Sequence, residues 1–161
     1  MANPRRAAHR GDLFVPALLD RLSHSSHGAM NRNDFRKTVM RDLSWLLNCT
    51  NLDTQLPMDN FPKAKFSVVN FGIPPLAGTR FSKAELKIAA QKIQQAIAYF
   101  EPRILPKSLR VSIAHDINTE LHNYAHFRIE ATYWFEPYPI DMVIRARWDM
   151  ETGGMEIREE N

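Results

Sequence analysis

The chain has 161 residues, of which 44% are hydrophobic and 24% charged, a balance typical of one folded domain and not of a disordered segment. The net charge is only +3, and basic residues alternate with acidic ones beyond the first twelve residues, so we expect no nucleic-acid partner. The single cysteine cannot form an internal disulfide, and we recognise neither a signal-peptide pattern nor a membrane-spanning apolar run, so we expect a cytoplasmic protein without membrane insertion.

The beginning of the chain predicts a tail and then a short helix. Residues 1–12 contain three arginines and are expected to form a flexible basic tail, and residues 13–161 are expected to form a single domain. Leucines at helical spacing after Pro16 predict a short helix. Residues 23–30 mix serine, histidine and glycine without periodicity, which indicates a flexible connection.

A longer amphipathic helix is predicted next. Asn31 or Asn33 is a suitable N-cap, and apolar residues then recur every three or four positions towards Cys49. These apolar positions are Phe35, Val39, Leu43 and Leu46. We expect Cys49 to be buried and the charged residues of the opposite side to be solvated. Those charged residues are Arg36, Lys37, Arg41 and Asp42.

The middle of the chain predicts a loop, an extended segment and the clearest helix. Residues 50–65 are polar and contain two prolines, which is typical of a long irregular loop. Residues 66–76, with the sequence FSVVNFGIPPL, are rich in β-branched and aromatic side chains and predict a short strand or extended segment that ends in a turn. Ser82 and Glu85 match the capping box that begins a helix, and Pro102 is expected to end it.

The remainder of the chain has an alternating apolar pattern, which predicts three consecutive strands within residues 108–116, 125–136 and 138–150. The pair Gly153-Gly154 indicates a turn into a short fourth strand. Helices followed by an antiparallel meander predict an α+β fold. In it, the N-terminal helices and one long central helix pack on a mainly antiparallel sheet formed largely by the C-terminal half.

The pattern of possible ligands indicates no metal or cofactor site. His122 and His126 would share one face of a helix, but they precede a predicted strand, so we assign no metal. The segment NFGIPPLAG lacks the Lys-Ser/Thr pair that completes a phosphate-binding loop, and we assign no cofactor.

Two charged residues flank Pro102 at the predicted helix end. Glu101 lies against the negative end of the helix dipole, where a cation is expected. In one interpretation, Arg103 offsets that charge through an internal ion pair or caps the free carbonyls. In the other, Pro102 holds both charges outward at a fixed angle for a partner. The residue pattern leaves both interpretations open.

Glycoside hydrolysis is an alternative in which Glu101 is the general acid. A neighbouring Arg103 would favour the ionised carboxylate and oppose that role. No spacing singles out a second carboxylate among the candidates Asp116, Glu130, Glu136 and Asp141.

Five segments together carry a resemblance to a known family. They are LLDRL at 18–22, VMRDLSWLLN at 39–48, VVNFGIPPL at 68–76, FEPRI at 100–104 and FRIEA at 127–131. In their order and spacing, the chain from about Leu13 onward resembles the contractile-tail baseplate wedge proteins, specifically the small wedge subunit of the bacterial type VI secretion baseplate. Phe71 and Pro75 depart from the family's usual tyrosine and acidic residue.

The resemblance implies a non-enzymatic structural protein, although the family carries a historical lysozyme-like label. It implies contacts with other wedge subunits and with sheath subunits at the first ring, within a cytoplasmic complex docked at the inner membrane. The family's Glu-Pro-Arg motif implies that Glu101, Pro102 and Arg103 bind partners. We then expect alanine at Glu101 or Arg103 to leave the fold intact and weaken assembly. The alternative is a peptidoglycan-cleaving muramidase with Glu101 as the acid.

Overall fold

The computed structural model describes residues 18–23, 30–75, 82–105, 107–114 and 124–160. Within these ranges, four α-helices precede the strands: α1 (Leu18–Ser23), α2 (Arg32–Leu47), α3 (Pro62–Lys65) and α4 (Lys83–Phe100). The strands are β1 (Arg110–Ile113), β2 (Tyr124–Tyr133), β3 (Ile140–Asp149) and β4 (Met155–Glu159). The predicted basic tail, the histidine-rich link over 24–29 and the start of the domain at residue 13 lie outside the described residues.

An antiparallel meander in the order β1-β2-β3-β4 carries the long helices on one face. Because side chains alternate across a strand, every second residue of β2 and β3 points into the core and the others remain partly or fully exposed. The buried positions are Ala125, Phe127, Ile129, Ala131 and Tyr133 on β2, and Ile140, Met142, Ile144, Ala146 and Trp148 on β3. The predicted α+β fold is confirmed.

The two long helices cover this apolar face because each has a continuous apolar stripe. Phe35, Val39 and Leu43 of α2 and Ile93 and Ile97 of α4 are at most 1% exposed. Burial of each such side chain stabilises the fold by roughly 2 kcal/mol. Helix α2 packs on β4, and α4 packs on β1 and α2. The sheet and the two helices therefore share one core.

The ends of α4 agree with the sequence prediction. The Ser82 hydroxyl accepts from the Glu85 backbone N–H, and the Glu85 carboxylate accepts from the Ser82 backbone N–H, so the capping box is confirmed. The helix ends at Phe100, directly before the Glu101-Pro102 bond, because proline disfavours helical geometry at the residue that precedes it.

The segment between α2 and α4 differs from the prediction. Residues 68–70 form a turn of 3-10 helix instead of a strand, and Val68 and Val69 are 82% and 62% exposed. Residue Ile73 forms one isolated parallel bridge with Thr50. The predicted loop over residues 50–65 also contains a 3-10 turn (Leu52–Thr54) and α3.

Asn70 provides the physical reason for this correction. Its buried side chain accepts from the Asp53 backbone N–H at 2.8 Å and donates to the Lys65 carbonyl at 3.0 Å. These bonds fold the segment back on itself, and the β-branched run gains no neighbouring strand. Side-chain contacts between distant residues are not visible in a local propensity.

Two expectations about α2 were wrong. Cys49 is exposed, because α2 ends at Leu47 and the chain leaves the core there. Of the four charged residues expected to be solvated, only Lys37 is well exposed. Arg36 forms an ion pair with Glu159 of β4, whereas Arg41 and Asp42 belong to a cluster described below.

Gly72 adopts φ +123°, and a Cβ built there would lie 2.3 Å from the Cys49 carbonyl oxygen. We predict that Gly72→Ala lowers the free energy of unfolding by at least about 2 kcal/mol, measured by urea denaturation, because a β-carbon clashes with backbone. Gly154→Ala is the matched control, since its Cβ would meet its nearest atom, Thr152 Oγ1, at 3.4 Å. Equal stability of the two variants would contradict this account.

Candidate partner-binding site

The Glu-Pro-Arg turn is fixed by backbone bonds at both ends. The Glu101 N–H donates to the Ile97 carbonyl of α4 at 2.9 Å. Beyond the turn, the Trp134 N–H donates to the Arg103 carbonyl at 2.8 Å, and the Leu105 N–H donates to the Thr132 carbonyl at 2.9 Å. The turn therefore joins the C-terminus of α4 to the C-terminal end of β2.

Glu101 is buried, with 4% of its surface exposed, and both of its oxygens accept from Arg103. Oε1 lies 2.6 Å from the arginine Nε, and Oε2 lies 2.5 Å from Nη2. The Arg103 backbone N–H also donates to Oε1 at 3.1 Å. This is a bidentate pair of a carboxylate and a guanidinium. The structure thus contains the internal ion pair, which is the first of the two interpretations that the sequence left open.

Arg103 also reaches α2. Its Nη2 donates to Asp42 Oδ2 at 2.8 Å, and its guanidinium carbon lies 5.8 Å from the centre of the Phe35 ring. Burial alone would lower the pKa of Arg103, but its hydrogen bonds and charge attraction with Glu101 and Asp42 outweigh burial and raise that pKa. Arg103 therefore stays charged and links the end of α4 to α2.

The charges continue along α2 to α1. The Arg41 guanidinium donates to Asp42 Oδ1 at 2.8 Å and to Asp20 Oδ1 at 2.6 Å. The hydrogen bond that Arg41 donates to Asp20 is the largest influence on the pKa of Arg41 and raises it. Glu101, Arg103, Asp42, Arg41 and Asp20 thus alternate in sign, and we name these five residues the charge chain.

Tyr133 lies beneath the charge chain. Its ring is fully buried and meets the Phe35 ring edge to face, with the centroids 6.1 Å apart. Its hydroxyl has no hydrogen-bond partner among the described residues. Burial raises the pKa of this phenol, and the Glu101 carboxylate raises it further against the opposing effect of Arg103. Tyr133 therefore packs behind the ion pair as a neutral side chain.

The surface above the charge chain is partly open. Pro102 is exposed, and the Arg103 side chain keeps 18% of its accessible surface. Trp45 is 51% exposed, and the Arg41 guanidinium carbon lies 4.7 Å from its ring centre. Exposed tryptophan and arginine side chains are the types that contribute most at protein interfaces. This surface can contact another protein through Pro102, Arg103 and Trp45, whereas Glu101 is reached only through Arg103.

Sequence reasoning missed Asp42, which it assigned to the solvated side of α2. A signal was available, because Asp42 is seven residues after Phe35 and three after Val39 and so lies beside the apolar stripe. An acidic residue in such a position needs a cation from another element. The sequence did not show that Arg103 provides it.

The described residues contain no group of three or more histidine, cysteine or acidic side chains arranged for a metal. Of the six histidines, only His126 is described, on β2. In the same part of the chain, no helix is long and apolar enough to span a membrane.

We predict that Arg103→Met lowers the free energy of unfolding by about 3–5 kcal/mol, because it leaves the Glu101 carboxylate buried without its cation. Glu101→Gln should cost less, about 1–3 kcal/mol, because Arg103 keeps Asp42 and some contact with water. Urea denaturation measures both values. This replaces the expectation that single substitutions here leave the fold intact.

Arg32→Met is the control for these variants, since Arg32 is exposed on the same helix as Asp42. It should change stability by less than about 0.5 kcal/mol. A loss at Arg103→Met no larger than in this control would refute the buried-pair interpretation.

Comparison with known proteins gives one family match. The family model described as baseplate wedge protein gp25 matches residues 33–138, more than half of the chain. The matched range includes Asp42, the Glu101 turn and all of β2. No curated protein and no solved structure matched the chain.

Proposed function

This chain belongs to the baseplate wedge protein gp25 family, and from that membership we propose that it is a structural subunit of the baseplate wedge of a bacterial type VI secretion system. Membership supports a structural role in a contractile-tail baseplate. We extend that role to binding of other wedge subunits and of sheath subunits at the first ring, which helps sheath assembly to begin. The location we propose is cytoplasmic, in a complex docked at the inner membrane.

Within this proposal, Glu101, Pro102 and Arg103 form the partner-binding site, and the three residues have different roles in it. Pro102 is exposed and Arg103 partly so, and both are available for direct contact. Glu101 acts indirectly, because it holds the arginine side chain in one orientation through two hydrogen bonds. A pre-ordered guanidinium loses little conformational entropy when a partner binds. Trp45 and Arg41 extend the same surface along α2.

The sheath contact is proposed for an edge of the sheet. Strands β1 and β4 end the strand order, so each can offer backbone groups to an added strand. Pairing of a sheath segment at either edge would continue the antiparallel meander into the first ring.

The muramidase alternative has weak support from the geometry. A general acid must hold a proton and reach the glycosidic oxygen. Glu101 is 4% exposed and accepts from Arg103 through both oxygens, so it is neither accessible to a polysaccharide nor placed to donate a proton. We therefore propose that the protein is not an enzyme. Clearing of purified peptidoglycan by the wild type, abolished in Glu101→Gln, would overturn this part of the proposal.

The partner role is tested with Glu101→Gln/Arg103→Met, which removes both charges together and so avoids a lone buried ion. We predict that the double variant folds, and that its pull-down recovers co-expressed wedge subunits in an amount at least about 10-fold lower than the wild-type pull-down does. Arg32→Met, which removes a charge elsewhere, should co-purify normally. A folded double variant with normal wedge co-purification and normal sheath formation would contradict a partner role for this turn.

A further inference from the structure

The face of the sheet opposite the helices carries a row of three arginines. Arg128 of β2 is directly opposite Arg145 of β3, and Arg145 is directly opposite Arg158 of β4. Directly opposed residues point to the same face, and like charges in such positions destabilise a sheet. Their side chains are 42%, 61% and 77% exposed. A row of guanidinium groups that remains accessible to solvent can bind an anionic group.

A second row lies beside the first and forms a shallow cavity with it. His126, Arg147 and Glu156 are in register across β2, β3 and β4. The cavity has a volume of about 290 Å³ and is lined by His126, Arg145, Arg147, Glu156 and Arg158. Three guanidinium groups therefore face one carboxylate in this cavity. Its lining has an excess of positive charge even when the histidine is neutral.

The chain's own carboxylates show how this face binds acidic groups. Glu160 bridges Arg145, with an N–O distance of 2.6 Å, and Arg128, at 3.2 Å. Glu156 likewise bridges Arg147 and Arg158, at 2.6 Å to each. Each carboxylate is held between two guanidinium groups, an arrangement for which the planar arginine fork is well suited. Glu130 adds a third carboxylate on Arg128 at 2.8 Å.

We propose that His126, Arg128, Arg145, Arg147 and Arg158, named here the arginine face, bind an acidic segment of a partner protein. Glutamate or aspartate side chains of the partner would enter the cavity and contact its arginines, as Glu156 and Glu160 of this chain do. Carboxylate is the anion that this face already binds, through Glu130, Glu156 and Glu160, so we commit to an acidic protein segment and make nucleic acid an outcome of the test. The inference does not depend on the proposed role of the Glu101 turn, which lies at the end of α4.

The experiment measures fluorescence anisotropy of a labelled deca-glutamate peptide with the full chain and with Arg145→Gln/Arg158→Gln. We expect saturable binding to wild type at about 50 mM salt that weakens several-fold at about 300 mM salt. The double variant should bind at least about 10-fold more weakly, because it removes two charge contacts at the cavity. Its midpoint of urea denaturation should stay close to that of wild type, because the relief of repulsion between opposed like charges offsets the lost exposed ion pairs with Glu160 and Glu156.

Arg32→Gln/Lys87→Gln is the matched control, since it removes the same charge from exposed positions on helices α2 and α4. It should weaken binding less than about 2-fold. Arg158→Gln alone provides an independent readout should the double variant unfold, because Arg158 is the most exposed arginine of the row. The proposal is overturned by equal affinity of control and double variant, by the absence of peptide binding at low salt, or by tighter binding of a single-stranded DNA of equal charge.

Discussion

The buried ion pair of Glu101 and Arg103 determines how the helical layer meets the sheet. Its backbone joins the end of α4 to the end of β2, and its guanidinium reaches Asp42 on α2. Such a pair adds little net stability relative to apolar residues, because both charges lose water, but loss of one member is costly. The turn is therefore intolerant of single changes at either charge. The hydrogen bonds between Glu101 and Arg103 also orient Pro102 and Arg103 at the surface. The ion pair therefore contributes both to the fold and to the proposed contact.

The sequence predicted elements whose signals are local. The capping box at Ser82 and the proline at 102 fixed both ends of α4, and alternation predicted the strands. The sequence-based prediction failed where contacts outside the segment determine its structure. Asn70 holds residues 68–70 in a 3-10 turn, although the segment has the composition of a strand. For the site, sequence physics left the internal pair and the outward orientation open. Burial of the glutamate and its link to Asp42 require the tertiary structure, because residues 42 and 101 meet only through packing of α2 against α4.

Two charged surfaces on opposite sides of the core follow from this architecture. The charge chain alternates in sign and is partly buried, whereas the arginine face has four arginines, paired with three carboxylates, on solvent-exposed positions of the strands. The family match includes the Glu101 turn but ends at residue 138, before three of the four arginines of that face. The turn thus lies within the matched range. Arg145, Arg147 and Arg158 lie beyond that range.

A double-mutant cycle tests the central claim that Glu101 and Arg103 act as one buried unit. The unfolding free energies of Glu101→Gln, Arg103→Met and the double variant would be compared with wild type by urea denaturation. We predict that the double variant loses less unfolding free energy than the two single variants lose in sum, by at least about 2 kcal/mol. The reason is that the second substitution removes the buried charge that the first one leaves without a partner. Single effects that add to within about 0.5 kcal/mol would contradict the account.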